Sequence, residues 1–219
     1  MIIFTKPPER TLRIGGTDVA AIMGKSDYKT YEQVLNEKAG LSEDVFTGNK
    51  FTESGHIYEP AVVKWYEDET GESVMRPEDE AKSDLLPGHT FVHPDHPFMV
   101  GSPDGLVRLN SRYKVSPDTR GLMVSGIKWG FEAKVAHYFS KRKWDAFEHK
   151  MPESYWMQCQ YYMLLTDLKR WDLAVHHLGT ADREIHQIDA DPFIQQEMLE
   201  ACVNLWGAVE EIKNAAKTT

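Results

Sequence analysis

Toward the C-terminus, apolar Met198, Leu199, Cys202, Leu205, Trp206, Val209 and Ile212 recur at three- and four-residue intervals. That period predicts a helix with one buried stripe. Asp191-Pro192 caps it, because proline is tolerated at the first helical position. Tyr155, Met157, Tyr161, Leu164 and Leu165 predict a long helix opened by Pro152 and running to about Leu168. Upstream, Thr30 to Ala39 reads as a helix stopped at Gly40. Ser54 to Thr70 reads as another, ending before Gly71, with Pro60 kinking it or sitting in its first turns. A short helix with Thr17 as N-cap carries Val19-Ala20-Ala21-Ile22, and Ser140 to His149 is also read as helical.

Between Ser73 and Val135 the pattern changes to short β-rich pieces. Phe91-Val92, Phe98-Met99-Val100, Leu106-Val107, Leu122-Met123-Val124 and Ile127 to Val135 are separated by Gly, Pro and Asp. Trp171 to His176 and Glu184 to Ile188 are two further strands. Helices, a meander, then helix–strand–strand–helix predict an α/β (α+β) fold with a mixed central β-sheet flanked by helices. No repeat, low-complexity run or Pro/Gly/Ser linker divides the 219 residues, so residues 1–219 are expected to form a single domain.

Composition narrows the class. A hydrophobic content of 41% with 11% aromatics supports a real core and excludes a largely disordered chain. No apolar stretch reaches the roughly 18 residues that span a bilayer. MIIFTKPPER lacks the features of a signal peptide, so the cytoplasm and no membrane partner are expected. The two cysteines, Cys159 and Cys202, cannot build a disulfide framework or a Cys-based zinc or iron–sulfur site. The net charge of −9 is unevenly spread. Residues 106–150 carry ten cations (Arg108, Arg112, Lys114, Arg120, Lys128, Lys134, Lys141, Arg142, Lys143, Lys150) against Asp118, Glu132, Asp145 and Glu148, hence +6 against −15 elsewhere. Such asymmetry steers a polyanion to one face, although a basic window is also what a solvated surface looks like.

Two short strings carry candidate chemistry. Gly101-Ser102-Pro103-Asp104-Gly105 precedes a β-rich stretch, which leads to Phe131-Glu132-Ala133-Lys134. Residues two apart in a strand share a face, so Glu132 and Lys134 project together, with the Ala133 carbonyl between them. Asp104 on its tight turn can meet Glu132. Two carboxylates and a carbonyl suit Mg²⁺ or Mn²⁺, and an ammonium beside them suits phosphodiester hydrolysis. Glu-x-Lys alone is common, and its plain reading is an exposed ion pair. The Pro-Asp-Gly turn, the partly buried strand with Val124, Ile127, Phe131 and Val135, and a helix face of Tyr155, Gln158 and Tyr162 favour the chemical reading.

These residues resemble the viral-recombinase exonucleases typified by phage lambda exonuclease, within the Pro-Asp…(Asp/Glu)-x-Lys nuclease superfamily. The resemblance runs from about Arg10 to Ala174. It rests on Arg10 with Ile14-Gly15-Gly16-Thr17-Asp18-Val19, Gly55-His56-Ile57-Tyr58-Glu59-Pro60, Ser102-Pro103-Asp104-Gly105, Glu132-Ala133-Lys134, and Tyr155-Trp156-Met157-Gln158-Cys159-Gln160-Tyr161. It implies a restriction-endonuclease-like core. It implies Asp104, Glu132 and the Ala133 carbonyl as metal ligands, Lys134 as catalytic lysine, and Glu59 as a supporting acid that ligates a second metal directly or through water. Gln158 would lie near the nucleophile or scissile phosphate, and Arg10 and Thr17 would bind the terminal 5′-phosphate. The chain departs from the lambda enzyme in a long basic insertion, Leu109 to Gly126, between Asp104 and Glu132.

The activity so implied is 5′→3′ digestion of one strand from double-stranded DNA ends. It uses Mg²⁺, with Mn²⁺ as substitute and two ions bound. Release of 5′-mononucleotides leaves 3′ overhangs for recombination with a single-strand-annealing protein, and the enzyme is a homotrimeric ring. The alternatives are a structure-specific or restriction-type endonuclease of the same superfamily, or a non-catalytic DNA-end-binding module. Elsewhere, His89, His93 and His96 lack the spacing of a zinc site, since Pro94 and Pro97 break any helix aligning them. Lys141-Arg142-Lys143 with Trp144 reads either as a backbone-tracking patch or as an ordinary charged turn.

Overall fold

The computed structural model describes residues 2–4, 13–42, 50–76, 90–108, 127–136, 144 and 147–217. Its helices begin and end where local chemistry favours it. In α2 (Tyr31–Ala39) the Thr30 hydroxyl accepts from the Gln33 amide while the Gln33 side chain accepts from the Thr30 amide, a capping box. Gly40, at φ 77°, ends it in a left-handed turn that glycine adopts without strain. α3 (Lys50–Thr70) starts earlier than the sequence pattern indicates and runs through Pro60. α4 (Glu153–Thr166) opens after Pro152, and α5 (Pro192–Lys217) is capped by Asp191, whose carboxylate accepts from the Phe193 and Ile194 amides.

One expected cap is corrected. α1 (Gly16–Ile22) is capped by Gly15, not Thr17, which lies exposed in the first turn. Asp18 decides this. Its Oδ2 accepts from the Gly15 amide at 2.9 Å and from Lys38 Nζ of α2 at 2.8 Å, a buried pair that locks the two helices together.

The strands divide into two sheets. β2 (Val74–Met75), β5 (Gly105–Arg108), β6 (Ile127–Ala136), β7 (Arg170–His177) and β8 (Asp182–Asp189) lie in that order in a mixed sheet, parallel only between β6 and β7. β1 (Ile2–Phe4), β3 (Thr90–Val92) and β4 (Val100–Gly101) form a separate antiparallel sheet. The stretch Leu122-Met123-Val124 and most of Ser140 to His149 lie outside the described residues, and residues 147–150 form a turn.

Alternation along β6 sets the layers. Phe131 and Ala133 face a cluster with Val62, Val63 and Tyr66 of α3. The opposite face meets α4, behind which α1 and α5 enclose the larger core with Trp171, Leu173, Tyr161, Met198 and Leu205. Cys159 of α4 and Cys202 of α5 are free thiols sealed in this core. Gly130 lets Trp171 cross β6, since a Cβ there would come within 2.2 Å of the indole. Among the described residues no helix is long and apolar enough to cross a membrane.

Candidate active site

β5, β6 and α4 bring Asp104, Glu132, Lys134 and Gln158 together. Asp104 sits in the turn between β4 and β5, and β5 pairs with β6 so that Gly105 faces Phe131. The Asp104 carboxylate accepts from the Ala133 amide at 2.8 Å, and the Asp104 amide lies 3.5 Å from Glu132 Oε2. Glu132 is 2% exposed, and its Oε1 accepts from Lys134 Nζ at 2.5 Å and Gln158 Nε2 at 2.8 Å. Gln158 Nε2 also donates to the Tyr162 hydroxyl at 2.9 Å, which in turn donates to the Ser102 carbonyl at 3.3 Å. Tyr155 packs its ring under Lys134, with Nζ 5.4 Å from the centroid. Among these bonds Asp104 Oδ1 accepts none, and Glu132 Oε2 accepts only the long one from the Asp104 amide, so these two oxygens keep lone pairs for a cation.

Tyr162 is held in a slot of glycines. A Cβ on Gly16 or on Gly101 would come within 2.8 Å of its ring. The Gln-x-Gln-Tyr string thus splits its labour. Gln158 reaches the acids, whereas Gln160 ties α4 to the start of α5 through the Asp189 carbonyl and Asp191 amide. Tyr161 donates to the Ile14 carbonyl at 3.0 Å, fastening the segment before α1.

Residues 8–169 match the YqaJ-like viral recombinase domain. The chain belongs to this family. It is 25% identical over 155 residues to the uncharacterized protein YqaJ of Bacillus subtilis (strain 168), covering 71% of this chain but only 40% of that relative. The fold matches the alkaline exonuclease LHK-Exo of Laribacter hongkongensis, with a TM-score of 0.67 over 96% of both chains at 20% identity. LHK-Exo in complex with dAMP matches equally, at 0.67. A phage-related exonuclease from Haemophilus somnus 129PT matches at 0.57 and 13% identity, over 94% of this chain and 96% of that one.

Within this family member, burial dominates the electrostatics of the centre. It pushes the Glu132 carboxyl up to about 8, with Asp104 adding repulsion and Lys134 opposing both. Burial likewise raises Asp104, against the pull of Lys134, the Ala133 amide, Arg76 and His56. For Lys134, burial would lower the ammonium's pKa, but Glu132 and Asp104 outweigh it and the net shift is upward. Asp104 and Glu132 set two carboxyl groups together in a desolvated site that disfavours charge on both. That donor set, oxygen-only and electron-rich, fits a hard divalent cation.

Other expected residues fall differently. Glu59 lies on α3 with its Oε1 3.4 Å from Arg76 Nη2. Arg10, the insertion Leu109 to Gly126 and Lys141-Arg142-Lys143 lie outside the described residues. Thr17 follows Gly16, which packs on Tyr162. Trp144, the aromatic beside that basic run, is buried, edge-on to Tyr155 at 5.7 Å and to His177 at 4.9 Å, which disfavours its part in a backbone-tracking patch. His93 and His96 lie ring to ring at 4.9 Å and continue through Phe98 to Trp206 of α5. Glu148, His149 and Glu153 also converge, with ligand atoms within 4.8 Å, as exposed acidic groups often do without an ion. Sequence reasoning missed Arg76 and the influence of His56. His56 sat inside a recognised string, whereas Arg76 stood in none.

Proposed function

We propose that the chain is a Mg²⁺-dependent exonuclease that digests the 5′-ended strand of double-stranded DNA and releases 5′-mononucleotides. The observation that carries this reading is the joined set of Asp104, Glu132, Lys134 and Gln158 in a chain of the YqaJ-like recombinase family. Asp104, Glu132 and the Ala133 carbonyl would hold the cation. Bound there, it would polarise the phosphodiester and lower the pKa of the attacking water.

The chain's own groups do the rest. Asp104 is fixed in place by the Ala133 amide, so its free oxygen is presented without a search. Gln158 and Lys134 share one oxygen of Glu132 and so orient the other. The Lys134 ammonium stands where negative charge grows on the phosphate, and such preorganised charge acts most strongly in a site closed to water. Arg10 and Thr17 would take the terminal 5′-phosphate, giving phosphorylated ends the advantage of a charge-assisted contact. In this reading residues 1–219 act as one nuclease domain in a trimeric ring, and the 3′ overhangs pass to a single-strand-annealing protein.

The test uses linear, nicked-circular and closed-circular duplex DNA incubated with Mg²⁺. Progressive loss of the linear form from its 5′ ends, with mononucleotides as product and closed circles intact, is the expected result. Cutting of closed circles would make the chain an endonuclease. Retarded mobility without any cleavage would make it an end-binding module.

A further inference from the structure

α4 carries Tyr155, Gln158 and Tyr162 at three- and four-residue intervals, so the three side chains form one stripe along the helix. Gln158 holds Glu132, and Gln158 is in turn bonded to Tyr162. Tyr155, one turn nearer the helix start, meets Lys134 instead, with the ammonium 5.4 Å from the centre of its ring. That ring is itself braced. Trp144, buried in the core, stands edge-on to it at 5.7 Å and 62°, and is wedged in turn against His177 of β7 at 4.9 Å and 72°. Edge-to-face pairs at such distances are favoured by the ring quadrupoles, so the face of Tyr155 is fixed where Lys134 reaches it.

Lys134 needs such a seat. Its ammonium donates to Glu132 Oε1 at 2.5 Å, the same oxygen that Gln158 holds. Glu132 is also a ligand in the metal centre proposed above, and a carboxylate that shares its charge with a cation attracts a neighbouring ammonium less. A ring face attracts positive charge through its quadrupole. It brings no negative charge to offset the lysine, so the ammonium keeps its full effect on a phosphate. We infer that Tyr155 is a positioning residue for Lys134, holding the ammonium over its ring for the phosphodiester while Glu132 serves the cation. The inference rests on the nuclease reading and adds to it a residue that acts through the lysine, not on the DNA.

Single-turnover cleavage of end-labelled duplex DNA by the full chain with Mg²⁺ tests it, with filter binding of the same DNA alongside. Tyr155→Phe keeps the ring face and should cleave almost as fast as the unmodified protein. Tyr155→Leu should be slower by about three- to thirtyfold, the range a cation over an aromatic face supports. Phenylalanine carrying one, two or three ring fluorines at position 155 separates charge from shape, because fluorine drains the ring face and scarcely changes its outline. The rate should fall stepwise with each fluorine while DNA affinity stays constant. Equal rates along the fluorine series would leave Tyr155 a packing residue and overturn the inference. A Tyr155→Phe rate as low as that of Tyr155→Leu would move the role to the hydroxyl, and DNA affinity falling in step with rate would make Tyr155 a DNA contact; either overturns it while the nuclease reading stands. Absence of cleavage by the unmodified chain would defeat that reading, and the inference with it.

Discussion

Glu132 carries the sharpest consequence at the scale of single residues. With no cation present, its carboxyl titrates near 8 rather than at the ordinary 4.5. Across that interval the folded chain holds a proton that the unfolded chain releases. The stability this group contributes is therefore full below about 4.5 and is lost as pH rises through about 8. Glu132→Gln cannot titrate. Thermal unfolding of the two metal-free proteins should thus show the melting temperature of the variant gaining on the parent as pH climbs through the interval. A difference that stays constant with pH would contradict the buried, repelled carboxyl. Lys134→Ala should lose cleavage by on the order of 10²–10³ while binding duplex DNA almost unchanged, measured by single-turnover kinetics and filter binding. That Glu132 and Lys134 share a face was legible in the sequence because residues two apart on a strand project together, and the tight turn at Asp104 let it meet Glu132. Arg76 was not, because only the folding of β2 against β5 brings it to acids distant along the chain.

Elements, more than side chains, decide whether that centre holds its shape. Trp171 of β7 crosses β6 at Gly130, two residues before Glu132, and its ring lies 5.3 Å from that of Tyr162. Gly130→Ala should therefore force the indole aside and destabilise the fold by about 1–3 kcal/mol, read from urea unfolding. An unchanged midpoint would mean that the sheet relaxes around the methyl group. Helix ends were readable where residues within one turn meet the need, as at Thr30, Gly40 and Asp191. At α1 the reading failed because Asp18 bonds both to Gly15 and to Lys38 of another helix, a tertiary contact that outbids a local hydroxyl. The split into two sheets was equally hidden. β3 and β4 have only three and two residues, too few for periodicity to assign partners.

At the scale of the whole molecule, the proposed ring makes its own predictions. Light scattering should give about three times the 25.1 kDa chain mass. Capture of DNA ends should weaken as salt rises, in proportion to the phosphates neutralised. A chase of unlabelled DNA should barely slow digestion already begun, whereas a monomer or an immediate halt would defeat the ring and leave the nuclease reading untouched. The sealed cysteines offer a different handle. Burial pushes the Cys202 thiol up to about 12 and raises Cys159 well beyond its ordinary value. Thiol reagents attack the thiolate, so the folded chain presents them with almost nothing to react with at neutral pH. Each labelling event must wait until α4 and α5 part. The two sulfurs thus act as a clock set inside the chain, whose rate counts how often the core opens and whose slowing would register anything that holds it shut.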